Sequence, residues 1–178
     1  MKTISVPARE QVNPQSQELF DALTKRLGRV PNLYATIGYS HAALKMMLDA
    51  EETLGHGKFS AKEREAVYLV VSQVNQCEYC LAAHTILATK RGYSQEETIL
   101  FRKGFASDPK LQTAIQLAKS IAENKGDADE TLKEAFFDAG YDEAALMDLI
   151  GLVTIRTFTN YVFVMSKIPV DFPAAEKI

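Results

Sequence analysis

The sequence is divided by helix start and stop signals, and it lacks the polar–apolar alternation that is typical of strands. Two capping boxes, Ser60 to Glu63 and Ser94 to Glu97, each begin a stretch with helical apolar periodicity. In a capping box, the side chains of the first and last residues satisfy each other's free backbone N–H groups. Gly92 ends the stretch before the second box, because glycine readily adopts the left-handed conformation of a helix C-terminus. The pattern predicts an all-α fold.

The positions of glycine, proline and capping residues predict where each helix begins and ends. The predicted helices, with their caps, span 14–27, 31–37, 41–54, 60–74, 77–91, 94–103, 108–124, 129–139 and 142–167. No linker interrupts the chain, so we expect one domain over residues 1–178. Glu65 precedes Cys77 by twelve residues, and Asp148 precedes Asn160 by the same interval. This echo indicates either a duplicated helical hairpin or chance.

The composition is that of a globular chain with a substantial core. Of the 178 residues, 47% are hydrophobic and 24% are charged, and the net charge is −3. No basic cluster favours a nucleic-acid or anionic-membrane partner. The apolar stretch 144–165 is broken by Asp148, Arg156 and Asn160, which predicts a buried core or interface helix. The N-terminus has no apolar signal region, so we expect a cytoplasmic protein, and no motif points to a nucleotide, haem or flavin cofactor.

The two cysteines of the chain, Cys77 and Cys80, form one Cys-x-x-Cys, and His84 follows four residues later. The thiolate is the reactive form of cysteine, and a helix N-terminus or a neighbouring histidine lowers a thiol's pKa. In a reducing cytoplasm, a disulfide is usually transient and catalytic. The pattern therefore favours thiol chemistry.

Helical geometry brings one more residue to the thiols. Cys77, Cys80 and His84 share a helix face at i, i+3 and i+7. A turn of about two residues joins this helix to the preceding one, so we expect an antiparallel hairpin. Glu65 lies about ten residues before that turn and His84 about nine after it, which at ~1.5 Å per residue places them at the same height. Such a pair can orient the imidazole and exchange a proton with a thiol.

Other interpretations of the same residues stay open. Two buried thiols without chemistry are one, since free cysteine packs as a small hydrophobe. A zinc site is another, with Cys77, Cys80, His84 and Glu65 as ligands. A thioredoxin-type domain does not fit, because its motif follows a strand. Tyr68 and Tyr79 are candidates to line the site, Tyr79 more as a packing residue.

Arg64-Glu65, followed after eleven residues by Cys77-x-x-Cys80-x-x-x-His84, resembles the alkylhydroperoxidase AhpD-like branch of the carboxymuconolactone decarboxylase superfamily. The resemblance covers roughly residues 15–173. Its weaker pieces, in order, are Gly28 to Leu33, Asn75, Gly92 to Ser94 and Ala139 to Tyr141.

The resemblance implies a homo-oligomeric helical antioxidant enzyme, a trimer or hexamer, that reduces hydroperoxides with its two thiols. Cys80 would be the peroxidatic and Cys77 the resolving cysteine, with His84 and Glu65 as a proton relay. An external dithiol, lipoyl-type or thioredoxin-like, would reduce the disulfide. The best-studied members carry a histidine where this chain has Tyr79, which leaves peroxidase efficiency and the reductant open. A dithiol–disulfide reductase and a non-redox helical assembly module are the alternatives.

Overall fold

All regular elements of the computed structural model, which describes residues 4–178, are helical. A 3₁₀ turn at Arg9–Gln11 precedes α1 (Pro14–Leu27), α2 (Asn32–Ile37), α3 (His41–Leu54), α4 (Ala61–Val74), α5 (Glu78–Lys90), α6 (Gln95–Lys103), α7 (Pro109–Glu123), α8 (Glu130–Asp138) and α9 (Glu143–Ser166). The predicted all-α fold is confirmed. The observed bounds lie within one residue of the predicted helices once the capping residues are set aside.

Local capping explains why these bounds could be predicted. Ser60 accepts a hydrogen bond from the backbone N–H of Glu63, and the Glu63 carboxylate accepts one from the backbone N–H of Ser60. The Ser94 and Glu97 pair repeats this reciprocal arrangement at the start of α6. Each cap satisfies backbone donors that no helical carbonyl can reach.

Helix α4 is the centre of the fold and is buried from Glu65 through Ser72. One hydrophobic cluster packs around it from α6, α7 and α9, with fully buried members that include Leu69, Ile115 and Leu149. A second cluster involves α1 to α3, α5 and α9, and its buried members include Phe20, Leu44, Met47, Ile155, Cys77, Tyr79 and Cys80. The two thiols therefore lie inside a packed apolar region.

A tight turn folds α5 back against α4. Gln76 adopts a left-handed backbone conformation with φ 53°, and the Cys77 N–H donates to the Ser72 carbonyl at 3.0 Å. This turn begins α5 at Cys77 and brings the two helices of the expected hairpin side by side.

Helix α9 is long and apolar enough, by length and composition, to cross a membrane, the only such helix within residues 4–178. Its inner face carries buried Leu149, Leu152 and Asn160 and packs on both clusters, as the core helix of a globular protein does. Asp148 and Asn160 both lie on this one helix, whereas Glu65 and Cys77 lie on α4 and at the start of α5. The echo in the sequence therefore does not correspond to a second hairpin.

Candidate active site

Cys77 is the N-cap residue of α5, and its sulfur accepts a hydrogen bond from the Cys80 backbone N–H at 3.4 Å. Cys80 is the third residue of the helix, where unpaired N–H groups and the helix dipole favour a negative charge. Both thiols are free, and Cys77 is 0% and Cys80 1% exposed. The helix start thus holds the two buried sulfurs beside each other.

Glu65 and His84 meet across the hairpin. Glu65 Oε2 lies 2.6 Å from His84 Nδ1, and the other carboxylate oxygen lies 3.2 Å from Arg91 Nε. Burial raises the pKa of Glu65, but the His84 charge and hydrogen bond and the Arg91 charge outweigh it, so the pKa is lowered. Because Nδ1 is bound to the carboxylate, Nε2 is the His84 nitrogen left for proton exchange.

Arg156 reaches the site from α9. Its guanidinium carbon lies 4.0 Å from the centroid of the Tyr68 ring, and that ring lies 5.0 Å from the His84 ring. Arg156 Nη2 is 3.3 Å from Glu51 Oε1, and the Tyr34 hydroxyl donates to the other Glu51 oxygen at 3.0 Å. The side chain of Arg156 is 4% exposed. A buried positive charge is therefore fixed next to the thiols and the imidazole.

These charges act on the two thiols unequally. Burial raises the pKa of Cys80. The hydrogen bond with Cys77 and the charges of Arg156 and His84 outweigh this effect and lower the pKa to about 6. The pKa of Cys77 is raised, because its protonated thiol is hydrogen-bonded to Cys80, because the site is buried, and because a second negative sulfur next to Cys80 is unfavourable. The two thiols titrate as a pair in which Cys80 carries the thiolate.

A cavity of about 450 Å³ leads from the surface to Cys80. Its inner end is formed by the buried residues Cys80, His84 and Arg156. Its walls and mouth are formed by Arg26, Leu27, Arg29, Pro31, Leu33, Tyr34, Tyr79, Ala83, Ile86, Leu87, Lys90 and Phe172. Cys77 and Glu65 are not among the lining residues, so a ligand in the cavity meets Cys80 and His84 first.

The two tyrosines named from the sequence occupy different positions. Tyr68 is buried on α4 between His84 and Arg156 and is not part of the cavity wall. Tyr79 lines the cavity, and its hydroxyl accepts a hydrogen bond from the Leu33 backbone N–H at 3.2 Å. Its ring also packs on Phe172, with centroids 5.4 Å apart. Tyr79 thus ties α5 to α2 and the C-terminal segment.

Asn160 lies behind the sulfurs and is 0% exposed. Its amide donates to Ser72 Oγ at 3.2 Å and accepts from Asn75 Nδ2 at 3.0 Å. Hydrogen bonding from Asn160 also lowers the pKa of both thiols. Asn160 therefore joins α9 to the turn that begins the cysteine helix.

The zinc interpretation is not supported by the arrangement of side chains. Across the described residues 4–178, no three His, Cys, Asp or Glu side chains are grouped so that they could hold a metal ion. The Glu65 oxygens are directed at His84 and Arg91 instead.

Sequence reasoning missed Arg156, Glu51, Tyr34 and Asn160 as parts of the site. A signal existed for two of them: Arg156 and Asn160 interrupt an otherwise apolar helix and are four residues apart, so they share a face. Buried polar groups in such a helix need partners, which marks them as structural or functional centres. Nothing in the sequence indicates that Glu51, on α3, is the partner of Arg156.

The fold and the dithiol site define a class of all-helical proteins with a buried Cys-x-x-Cys. Residues 41–120 match the model of the carboxymuconolactone decarboxylase family. The uncharacterized protein YdfG of Bacillus subtilis (strain 168) is 26% identical over 115 residues, which cover 62% of this chain and 77% of YdfG.

Solved structures share the fold at low identity. An uncharacterized peroxidase-related protein from Silicibacter sp. TM1040 has a TM-score of 0.76 at 19% identity, covering 97% of this chain and 93% of that protein. The AhpD core of a peroxidase-related protein from Ralstonia eutropha JMP134 has a TM-score of 0.79 at 17% identity, covering 90% and 87%. A variant of the debrominase Bmp8 in complex with 2,3,4-tribromopyrrole has a TM-score of 0.79 at 16% identity, covering 96% and 92%.

The match to the carboxymuconolactone decarboxylase family model covers residues 41–120, and the solved structures share the all-helical fold, so both agree with the AhpD-like resemblance of the motif.

Proposed function

We propose that this protein is a thiol-dependent hydroperoxidase that reduces hydroperoxides with Cys80 and Cys77. The observation that carries the proposal is the order in which the cavity presents the groups. Cys80 and His84 line the cavity, while Cys77 and Glu65 lie behind them. A substrate in the cavity therefore meets the thiol whose pKa is lowered, and the second thiol is next to it but shielded.

In the first step the Cys80 thiolate attacks the terminal oxygen of the hydroperoxide. The S–O bond forms as the O–O bond breaks, and both electrons of the broken bond leave with the alkoxide. Cys80 becomes a sulfenic acid. His84, which holds the proton from the Cys80 thiol, gives it to the alkoxide through Nε2, and Glu65 stabilises the charged imidazole in between.

In the second step Cys77 attacks the sulfur of the Cys80 sulfenic acid. A disulfide forms and the sulfenic oxygen leaves as water, so a neighbouring thiol intercepts the sulfenic acid before it is oxidised further. An external dithiol then reduces the disulfide by thiol–disulfide exchange. We expect this cycle to run in the cytoplasm, where dithiol reductants are kept reduced.

Exposed apolar side chains on α9 support the homo-oligomer that the AhpD-like resemblance implies. Tyr161 is 56% and Met165 81% exposed, and a shallow apolar cavity of about 470 Å³ lies between this face, α2 and the start of α3. Such patches on folded proteins commonly mark association surfaces. Sedimentation equilibrium gives the subunit number, and a monomer contradicts this part of the proposal.

Single-cysteine variants test the assigned roles. With an organic hydroperoxide and a dithiol, the wild-type protein consumes peroxide. Cys80→Ser abolishes the consumption, because the attacking sulfur is lost. Without the dithiol, Cys77→Ser performs one turnover and retains a sulfenic acid on Cys80, which a dimedone-type reagent labels.

The alternatives give different results in the same assay. A disulfide reductase cycles a small disulfide substrate in the presence of the dithiol but consumes no hydroperoxide above the level of the double cysteine variant. A non-redox module does neither. Labelling of Cys77 rather than Cys80 in the single variants reverses the assigned roles.

The aromatic and apolar walls of the cavity favour one further candidate, reduction of a halogenated aromatic ring. Tyr79, Phe172 and Leu33 face the space above Cys80. Two thiols and one aryl bromide give the dehalogenated ring, a disulfide and hydrogen bromide, so both cysteines supply the two electrons. The debrominase Bmp8, which shares the fold, was solved in complex with 2,3,4-tribromopyrrole.

Bromide release from polybrominated pyrroles or phenols, in the presence of a dithiol, tests this candidate. Dehalogenation requires Cys80 and yields one bromide per disulfide formed. No bromide above the level of Cys80→Ser excludes it.

A further inference from the structure

Arg156 lines the cavity together with Cys80, and one of its hydrogen-bond donors has no partner among the described residues. Nη1 donates to Thr159 Oγ1 and Nη2 to Glu51 Oε1, both at 3.3 Å. Nε is buried and has no hydrogen-bond partner in the described part of the chain. Buried donors are almost always paired in folded proteins, so an unpaired one next to a reactive thiol calls for an explanation.

The surroundings hold this guanidinium in one position. Glu51 binds one end of it and is itself fixed by the Tyr34 hydroxyl. The Tyr68 ring covers one face of the guanidinium at 4.0 Å. A donor that is fixed before the ligand arrives costs no reorganisation when charge develops nearby, which is the condition for strong electrostatic catalysis.

We propose that Arg156 is a further catalytic residue that forms an anion subsite beside Cys80 and receives the leaving oxyanion through its Nε–H. This inference rests on the proposed hydroperoxidase function. As the O–O bond breaks, one negative charge moves from the Cys80 sulfur to the alkoxide oxygen. Arg156 faces one negative charge throughout, first on sulfur and then on oxygen. The alkoxide leaves as the alcohol after it takes the proton from His84.

Two reactions of Cys80 distinguish stabilisation of the leaving oxyanion by Arg156 from an effect of Arg156 on thiolate formation alone. Alkylation by iodoacetamide requires the thiolate, but it creates no oxyanion. Reduction of cumene hydroperoxide in a single turnover requires both the thiolate and the leaving group. Each rate is measured from about pH 5 to about pH 9.5, which spans the perturbed and the ordinary pKa of a thiol.

In Arg156→Met we expect the alkylation rate to return to that of the wild-type protein at high pH, where the thiolate is fully formed. We expect the peroxide rate to stay about 100-fold low across the whole range, as for the loss of one oxyanion donor. Arg156→Lys keeps the charge in the same site but lacks the Nε–H, so its peroxide rate falls while its alkylation profile stays near that of the wild type.

Arg102→Met is the matched control. Arg102 is also a buried arginine, but it binds Gln73 and the Glu176 carbonyl and lines a different cavity. Both of its rates stay at the wild-type level. The proposal is overturned if the peroxide rate of Arg156→Met recovers at high pH together with its alkylation rate, or if Arg156→Lys reduces peroxide as fast as the wild type.

An equilibrium measurement separates this subsite from the proposed function. Benzoate, a stable organic anion, competes with the thiolate for Arg156, so it shifts the alkylation profile of wild-type Cys80 to higher pH. Neutral benzamide does not. Even if the wild-type protein fails to reduce cumene hydroperoxide, a benzoate shift that disappears in Arg156→Met supports the anion subsite. If benzoate has no effect on the wild-type protein, there is no such subsite.

Discussion

Glu65 Oε2 and His84 Nδ1 lie 2.6 Å apart on two facing helices, although nineteen residues separate them in the chain. Both side chains are almost fully buried, Glu65 at 2% and His84 at 7% exposure. This pair holds the imidazole through Nδ1 and leaves Nε2 for proton exchange, and His84 lines the same cavity as Cys80. In the proposed mechanism, it is the proton relay of a buried thiol peroxidase.

Glu65→Gln is expected to slow single-turnover peroxide reduction about 10²-fold, at the low end for loss of a positioned acid–base group. The amide keeps the shape of the carboxylate but cannot stabilise a charged imidazole. Glu63→Gln is the control, since a glutamine at that position can still complete the capping box two residues earlier on the same helix. Equal rates for Glu65→Gln and the wild type contradict the relay.

Cys80 is expected to react with iodoacetamide at half its maximal rate near pH 6, because its pKa is lowered to about 6. The lowered pKa means that the folded protein favours the Cys80 thiolate over the neutral thiol. The thiolate stabilises the fold above the pKa of an unfolded thiol, and that stabilisation is lost as the pH falls through about 6. Peptide mapping identifies the labelled cysteine. A midpoint near that of an ordinary thiol, about 8.5, contradicts the assignment.

Tyr79→Phe is expected to destabilise the protein by about 1–3 kcal/mol, because the buried Leu33 N–H loses its acceptor. The ring stays in contact with Phe172, so the packing changes little. Urea unfolding gives the free energy, and the thiol alkylation profile stays that of the wild type. If stability is unchanged and the peroxide rate collapses, Tyr79 is a proton donor rather than a tether.

Asn160→Ala is expected to raise the pKa of Cys80 and to destabilise the protein by about 1–3 kcal/mol, since Asn75 and Ser72 lose a buried partner. Asn124→Ala is the comparison, because within residues 4–178 the Asn124 side chain bonds only to Ser120, near the end of α7. That variant can lose stability, but it leaves the alkylation profile unshifted. If the alkylation profile of Asn124→Ala shifts as much as that of Asn160→Ala, the shift follows from lost stability and not from the Asn160 side chain.

The helices could be predicted because their limits are set locally. Ser60 and Ser94 form reciprocal caps with residues three positions away, so the residues that make each contact are also close in the sequence. The Glu65–His84 contact could also be predicted from the sequence, because a two-residue turn fixes the heights of the two helices relative to each other. Only the hairpin geometry was needed.

The rest of the site depends on how distant helices pack. Arg156 bonds Glu51 across 105 positions, and Asn160 bonds Ser72 across 88. No local pattern encodes which helix faces α9, so in the sequence Arg156 and Asn160 are recognisable only as breaks in an apolar stretch. The Tyr79 hydroxyl likewise meets Leu33 only after α2 has packed on α5.

The most direct test of the central claim is the intact mass of the reduced wild-type protein after mild treatment with an organic hydroperoxide. A Cys77–Cys80 redox pair predicts the loss of two hydrogens in the wild type and an added oxygen in Cys77→Ser. A wild-type mass that shows neither a disulfide nor added oxygen contradicts thiol redox chemistry in this protein.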